Sequence, residues 1–171
     1  SAPISLEFPD IEGSLCGELL PSGSTKDEVD GYSLTMIDNG MPCVIIEADQ
    51  LGLSGNETGD ELEKNSVLRD KLESLRLKCG KIMKLGVVKE KTVPKMTIIS
   101  KPLSKGMINT RTFIPHKCHQ SIGVFGAISV ATACLLEGTP ANNLAVIPRG
   151  RKKICSIEHP SGQMQVSVEL R

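Results

Sequence analysis

The segment from Ser121 to Leu136 is small or apolar on every face of a helix, and this feature constrains the fold most strongly. A helix that is apolar all round has to be buried all round. The segments before and after it have the residue patterns of strands, so we expect a sheet that wraps this helix. The sequence therefore predicts an α+β fold, a β-barrel or roll around a central apolar helix.

Most of the remaining chain has the pattern of short strands separated by turns. Alternating or continuous apolar residues indicate the strands, and Gly, Pro, Asn and Asp indicate the turns. The predicted strands are 4–8, 15–20, 32–37, 43–46, 95–100, 108–113, 144–147, 154–158 and 164–170. The segment His159–Gly162 predicts a hairpin between the last two.

A second helix is predicted from Asn65 or Ser66, either of which can cap it, to about Leu85. Gly86 is a suitable stop at its carboxyl end. The charged residues between its apolar positions indicate a solvated outer face, so this amphipathic helix is predicted to be peripheral. Its inner face is predicted to comprise Val67, Leu68, Leu72, Leu75, Cys79, Ile82 and Met83.

The composition disfavours several kinds of partner. Lys and Arg together number 20, as do Asp and Glu, and no basic stripe is present, so nucleic acid and anionic membranes are not expected partners. The apolar run after Ser121 is too short and too mixed to cross a bilayer. The six cysteines are scattered without a C-x-x-C pair, which argues against a zinc ribbon or a disulfide framework and indicates a reducing, cytoplasmic location.

Polar residues stand directly in front of the apolar helix: His116, Lys117, His119 and Ser121. The amino end of a helix has free N–H groups and the positive end of the helix dipole, which suits a carboxylate or phosphate. Ser121 can cap the helix, and Gly123 allows a ligand to approach closely. An anion site and a capped helix behind a polar surface loop explain this pattern equally well.

Two weaker signals involve the three histidines of the chain, His116, His119 and His159. An H-x-x-H pair with one remote histidine could hold zinc. Paired histidine ligands are more usual at helical i, i+4 spacing, and no acidic residue stands nearby as a base, so a metal site ranks below anion binding. His159 and Ser161 could also direct polar groups into a site, although a plain hairpin turn accounts for them as well.

Several motifs resemble a known family when they are taken in order. They are API-x-L near the start, Gly13–Gly23, Ile37–Gly55, Leu72–Met83, Pro115–Ile128 and Glu158–Gly162. As an ordered set they resemble the 2-methylaconitate cis-trans isomerase (PrpF) and 4-oxalomesaconate tautomerase family, which has the diaminopimelate epimerase-like fold. The similarity covers nearly the whole chain.

The resemblance implies an enzyme of two similar domains, each a barrel-like sheet around a central helix, with the active site in the cleft between them. It implies a proton shift on small unsaturated di- or tricarboxylates, of the methylaconitate or oxalomesaconate type, without a cofactor. One group removes a proton beside an activating carbonyl or carboxylate, and a proton returns at another carbon. The family's Cys-Gly-Asn and Thr-Ser-Lys-Gly-like motifs belong to its first domain and are not found here.

Residues 1–171 are thus predicted to be a single domain similar to the second, C-terminal domain of such an isomerase, with the first domain and the closing strands absent. We expect little or no turnover from this piece alone. The expected partners are a small anionic carboxylate substrate and the missing first domain, and a homodimer is a further candidate. A domain that binds small anions without catalysis is the alternative, and a zinc hydrolase based on the three histidines ranks third.

The substrate-binding role that this resemblance suggests falls on residues at the amino end of the apolar helix and in the hairpin. Cys118 is predicted to be exposed enough to be a weak candidate for an acid/base group, and a loop cysteine facing the barrel is at least as good an interpretation. The predicted carboxylate-binding residues are His116, His119, Ser121, Ile122, Gly123, His159 and Ser161.

Overall fold

The computed structural model describes residues 11–169, so the strand predicted at 4–8 lies outside the described residues. One seven-stranded sheet forms the centre of the fold, and the order of its strands in space follows their order in the chain. The strands are β1 (Asp27–Val29), β2 (Tyr32–Asp38), β3 (Pro42–Glu47), β4 (Lys95–Ser100), β5 (Ile108–Phe113), β6 (Lys152–His159) and β7 (Gly162–Glu169). Neighbouring strands are antiparallel except for the parallel pairs β3–β4 and β5–β6.

Four α-helices and one short 3-10 helix accompany the sheet. The α-helices are α1 (Gly59–Lys64), α2 (Ser66–Ile82), α3 (Val124–Leu135) and α4 (Pro140–Leu144), and the 3-10 helix covers Ala48–Leu51. The α+β class and the two substantial helices, α2 and α3, agree with the sequence prediction. The short helices α1 and α4 and the strand β1 were not predicted.

The sheet separates two apolar layers. In β3, Val44 and Ile46 belong to the layer that includes the apolar face of α2, whereas Cys43 and Ile45 belong to the layer that includes α3. Successive residues of a strand point to opposite faces, so a strand that is covered on both faces becomes apolar throughout. This explains the continuous apolar run in β3.

Helix α3 is the predicted apolar helix, although it begins at Val124 rather than at Ser121. Each of its residues is buried or half-buried. It packs against β2, β3, β6 and β7 and against α4. The absence of any exposed residue in α3 agrees with its lack of a polar face.

Helix α2 has the predicted cap but a narrower apolar face than predicted. The Asn65 side chain accepts a hydrogen bond of 3.0 Å from the amide of Leu68. Val67 and Ile82 are 63% and 42% exposed, so their assignment to the inner face is wrong. Both stand at the edge of the buried stripe, one near each end of the helix.

The strand predicted at 15–20 is wrong, because this segment consists of turns and bends. The carboxylate of Asp38 accepts hydrogen bonds from the amides of Leu15 (2.8 Å) and Cys16 (2.9 Å). The amide of Gly17 donates to the carbonyl of Gly13 at 2.7 Å. These contacts use amides that a strand would have given to a neighbouring strand.

The strand predicted at 144–147 is also wrong. Thr139 caps a short helix by accepting a hydrogen bond from the amide of Asn142, and Pro140 occupies its first turn. A Thr-Pro pair is favourable at this place because proline lacks the N–H that the first helical turn leaves unpaired. Leu144 therefore ends α4, and the following residues are irregular.

No helix within residues 11–169 is long and apolar enough to cross a membrane.

Candidate functional site

The strand directions bring three connections to one end of the sheet. Cys43 near the start of β3 pairs with Lys95 of β4, and Phe113 at the end of β5 pairs with Met96 of β4. Because β6 runs parallel to β5, its carboxyl end points the same way. The β2–β3 turn, the loop after β5 and the β6–β7 hairpin therefore face this end of the sheet, although the hairpin is set back beside the middle of β5, because Glu158 pairs with Asn109.

The β2–β3 turn packs on the first two turns of α3. The Ser129 hydroxyl donates to the carbonyl of Met41 at 2.7 Å and accepts from the amide of Asn39 at 3.0 Å. Gly40 has a φ of +94°, and a Cβ at this position would lie 2.6 Å from the ring of Phe125. The amino end of α3 thus lies at the same end of the sheet as the three connections, and only glycine fits the turn beside it.

The amino end of α3 has no side-chain cap. Gly123 is the N-cap residue, with extended φ and ψ of −70° and 156°, and its carbonyl accepts the first helical hydrogen bond, from Ala127. The predicted capping role of Ser121 is therefore wrong, because the helix begins three positions further on. Gly123 is exposed and Ile122 is buried. The first turn of α3 therefore has no side-chain cap and lies at the positive end of the helix dipole, which favours an anion.

The loop before α3 joins the β6–β7 hairpin through Gln120. The Ser161 hydroxyl donates a hydrogen bond of 2.6 Å to the carbonyl of Gln120. The His159 ring accepts at Nδ1 from the Ser161 amide (3.2 Å), and the His119 ring accepts at Nδ1 from the Ser121 amide (3.2 Å). The structure therefore brings four predicted residues together: His119, Ser121, His159 and Ser161.

Burial lowers the pKa of the His159 imidazole below its ordinary value. The nearby charges of His119 and Arg111 lower it further, while hydrogen bonding to the backbone of Gln120 raises it. His159 is therefore held towards its neutral form. A neutral imidazole can both donate and accept a hydrogen bond.

His116 lies with a different set of neighbours. Its Nδ1 is 3.3 Å from a carboxylate oxygen of Glu73 on α2, and its side chain is 51% exposed. It lines a charged surface cavity together with Asp60, Glu63, Lys64, Arg69 and Lys117. The structure does not place His116 with the other two histidines, so its predicted contact with substrate stays a prediction.

Cys118 is buried, contrary to the predicted exposure. It is 4% exposed and belongs to the apolar layer on the α2 side of the sheet. Burial raises the pKa of its thiol to about 11, an effect that the charge of Arg111 opposes and that of Glu63 reinforces. A thiol with this pKa is a poor acid/base group near neutral pH, and the interpretation as an inward-facing loop cysteine is the one that fits.

The zinc alternative gains no support from the side-chain positions. Between residues 11 and 169, no three or more side chains of His, Cys, Asp or Glu are grouped so that they could hold a metal ion. His116 is paired with Glu73 instead of approaching the other histidines.

Arg111 is a polar residue of this region that the sequence analysis missed. It lies on β5 and is 8% exposed. A charged residue within the short strand INTRTF, in a chain rich in buried strands, was the available signal. Lys, Arg, Asp and Glu are almost never fully buried unless they are paired.

The arrangement of elements is also found in a solved structure. The crystal structure of methylitaconate-delta-isomerase superimposes with a TM-score of 0.86 and 22% sequence identity, over 96% of this chain and 48% of that one. This similarity establishes a shared fold. A family model described as PrpF protein matches residues 1–171. The chain belongs to this family, which confirms the predicted resemblance.

Named relatives support the same assignment. The chain is 51% identical over 169 residues to the (4E)-oxalomesaconate Delta-isomerase of Novosphingobium sp. (strain KA1) and 48% identical over 170 residues to the 4-oxalomesaconate tautomerase of Pseudomonas putida. It is 25% identical over 196 residues to the 2-methyl-aconitate isomerase of Shewanella oneidensis. Each comparison covers 99% of this chain but only 47–48% of the relative. The chain spans about half the length of the curated relatives it matches.

Proposed function

We propose that this chain is the second domain of an isomerase that shifts a proton on small unsaturated di- or tricarboxylates, and that it supplies carboxylate binding. The observation that carries this proposal is the meeting of the uncapped α3 amino end with His119, Ser121 and the His159–Gly162 hairpin. The names of the relatives supply the substrate class, oxalomesaconate or methylaconitate.

Carboxylate binding suits this end of the sheet for electrostatic reasons. The first turn of α3 has no side-chain cap and lies at the positive end of the helix dipole, and Gly123 has no side chain to keep a ligand away. The imidazoles of His119 and His159 add ring nitrogens that can donate hydrogen bonds. Fixed donors of this kind bind the substrate and stabilise negative charge that develops when a proton leaves carbon.

The acid/base groups are proposed to lie in the other domain. Cys118 is buried with a raised thiol pKa, which leaves this half without the candidate that the sequence suggested. In the whole enzyme, one group removes a proton next to the conjugated carboxylate or carbonyl, and a proton returns to another carbon of the delocalised anion. The double bond moves while the atoms of the substrate are conserved, so no oxidant or reductant is consumed.

The sheet is proposed to wrap α3 as the barrel of this fold. The packing of α3 against strands from both halves of the sheet, β2 and β3 as well as β6 and β7, supports this arrangement. The first domain would then meet this one at the amino end of α3 and close the cleft. The predicted homodimer and cytoplasmic location stay predictions.

Incorporation of deuterium from solvent into the substrate, followed by NMR, tests the function. The complete gene product that carries this chain is incubated in heavy water with 4-oxalomesaconate or trans-aconitate, alongside the 171-residue chain alone. We expect deuterium at the allylic carbon with the complete protein and little or none with this chain. Absence of exchange on every unsaturated polycarboxylate would reject the isomerase and favour an anion-binding domain.

A further inference from the structure

Arg111 is held rigidly by three hydrogen bonds from one side of its guanidinium group. Nε donates to the carbonyl of Glu57 at 2.9 Å, and Nη1 donates to Asn109 Oδ1 at 2.9 Å and to the carbonyl of Thr110 at 2.8 Å. The Asn109 amide nitrogen in turn donates to the carbonyl of Gly55 at 2.7 Å and to the hydroxyl of Ser100 at 2.9 Å. The planar group is therefore fixed before any ligand arrives.

The second terminal nitrogen, Nη2, is left without a partner. None of the described residues accepts a hydrogen bond from it, and Arg111 belongs to none of the ion pairs between described residues. Burial lowers the pKa of the Arg111 guanidinium, and the nearby charges of Cys118, Glu57 and Glu158 oppose this effect without forming an ion pair with it.

The other buried arginine shows the contrast. Arg76 is fully buried, and its Nη2 lies 2.6 Å from a carboxylate oxygen of Glu73. Its Nη1 donates to the carbonyls of Val88, Lys91 and Val93. Every nitrogen of Arg76 thus has a partner and the charge is balanced, which identifies Arg76 as a structural residue.

The surroundings of Arg111 connect it with the candidate site. The next residue, Thr112, accepts a hydrogen bond of 2.7 Å at its carbonyl from the amide of His119. The segment that follows Glu57 runs beside the same loop, since a Cβ on Gly59 would lie 3.2 Å from the side-chain nitrogen of Gln120. Gln120 is the residue that joins the loop to the β6–β7 hairpin.

We propose that Arg111 is a substrate-binding residue whose Nη2 donates to one carboxylate of the substrate, beside the His119–Gln120 loop. This inference rests on the proposed function and extends it, because it names a charged determinant of substrate selectivity that the uncapped helix and the histidines do not provide. A carboxylate supplies the acceptor that Nη2 lacks among the described residues, and charge-assisted hydrogen bonds of this kind are stronger than neutral ones.

The test uses the complete gene product and trans-aconitate as the probe, with its dissociation constant measured by calorimetry. R111Q removes the charge, and R111K keeps the charge but loses the planar group. Loss of a hydrogen bond to a charged group predicts that R111Q binds about 10- to 100-fold more weakly, with R111K intermediate. R149Q, which removes the same charge from an exposed position before β6, is expected to bind like the parent protein.

A direct spectroscopic measurement separates binding from structure. With arginine labelled at the guanidino nitrogens, the Arg111 Nη2 proton resonance is expected to move downfield when trans-aconitate is added, and circular dichroism melts verify that each variant is folded. If the parent protein binds trans-aconitate while R111Q binds as tightly and the resonance stays in place, the Arg111 proposal is wrong and the isomerase proposal stands. If the parent protein neither binds nor exchanges any unsaturated polycarboxylate, both are wrong.

Discussion

The hydroxyl of Ser161 donates a 2.6 Å hydrogen bond to the carbonyl of Gln120, residues 41 positions apart in the chain. This bond fixes the β6–β7 hairpin to the loop in front of α3. The S161A variant is expected to weaken binding of trans-aconitate to the complete gene product about 2- to 10-fold, the value of one ordinary hydrogen bond. Calorimetry measures the change, and S167A, on the exposed face of β7, is the matched control. Equal affinity in S161A and S167A would show that this bond does not organise the site.

The lowered pKa of His159 predicts a pH dependence of stability. The unfolded histidine takes up a proton near its ordinary pKa of 6.5, whereas the folded one, whose pKa is lowered by burial and by His119 and Arg111, does so only at lower pH. The unfolded state therefore binds more protons between these two values, and the free energy of unfolding falls as the pH drops below about 6.5. Urea denaturation at a series of pH values measures the slope. In H159Q this contribution is expected to disappear, and an unchanged slope would contradict the assignment.

Gly40 is predicted to tolerate no side chain without a loss of stability. Its φ is positive, and a Cβ added to it would lie 2.6 Å from Phe125, so a side chain brings both strain and overlap to the turn beside α3. G40A is expected to lower the free energy of unfolding by about 1–3 kcal/mol. Gly31 serves as the control, because its φ is also positive but its Cβ would meet nothing within 4 Å. If G40A costs no more than G31A, the contact with Phe125 does not constrain the turn.

Arg76 is predicted to be among the residues on which stability depends most. R76M would leave Glu73 and the carbonyls of the 88–93 loop without their donors. Breaking a buried pair by removing one partner typically costs about 3–5 kcal/mol, so we expect a loss of this size in urea unfolding. R69M removes an exposed arginine from the same helix and is expected to change stability by less than about 0.5 kcal/mol. Similar losses in both variants would contradict a structural role for Arg76.

Cys118 is predicted to be dispensable for the proton shift. With a thiol pKa of about 11, only about one thiol in a thousand is ionised at pH 8. C118A is therefore expected to keep turnover of the complete gene product within about tenfold, and native Cys118 is expected to resist alkylation until urea is added. Loss of activity in C118A with an unchanged melting temperature would instead return Cys118 to the acid/base candidates.

The elements that the sequence predicted well are those whose pattern is local. The strands at 95–100 and 108–113 are indicated by short runs of apolar and β-branched residues, α3 by a nearly continuous apolar run, and the hairpin by His159–Gly162. The strand predicted at 15–20 failed because the carboxylate of Asp38, more than 20 positions away, takes up the amides of Leu15 and Cys16. No local pattern carries a contact of that range.

In the candidate site, too, local features could be predicted from the sequence and long-range contacts could not. The histidines and Ser161 could be named from sequence because polar residues beside an apolar helix and in a hairpin are conspicuous. Which of them meet could not be predicted, because the joining atom is the backbone carbonyl of Gln120. Arg111 was missed because its role depends on which nitrogen remains unpaired after folding, and His116 was grouped with the others only because it is near them in sequence.

The most direct test of the account is an amide NMR titration of the complete gene product with trans-aconitate. Carboxylate binding at the amino end of α3 predicts that the largest shifts fall on residues 119–126 and 159–162. Shifts concentrated instead at the opposite end of the sheet, around Glu47 and Lys101, or no shifts in this half of the protein, would contradict the proposal that this domain holds the carboxylates of the substrate.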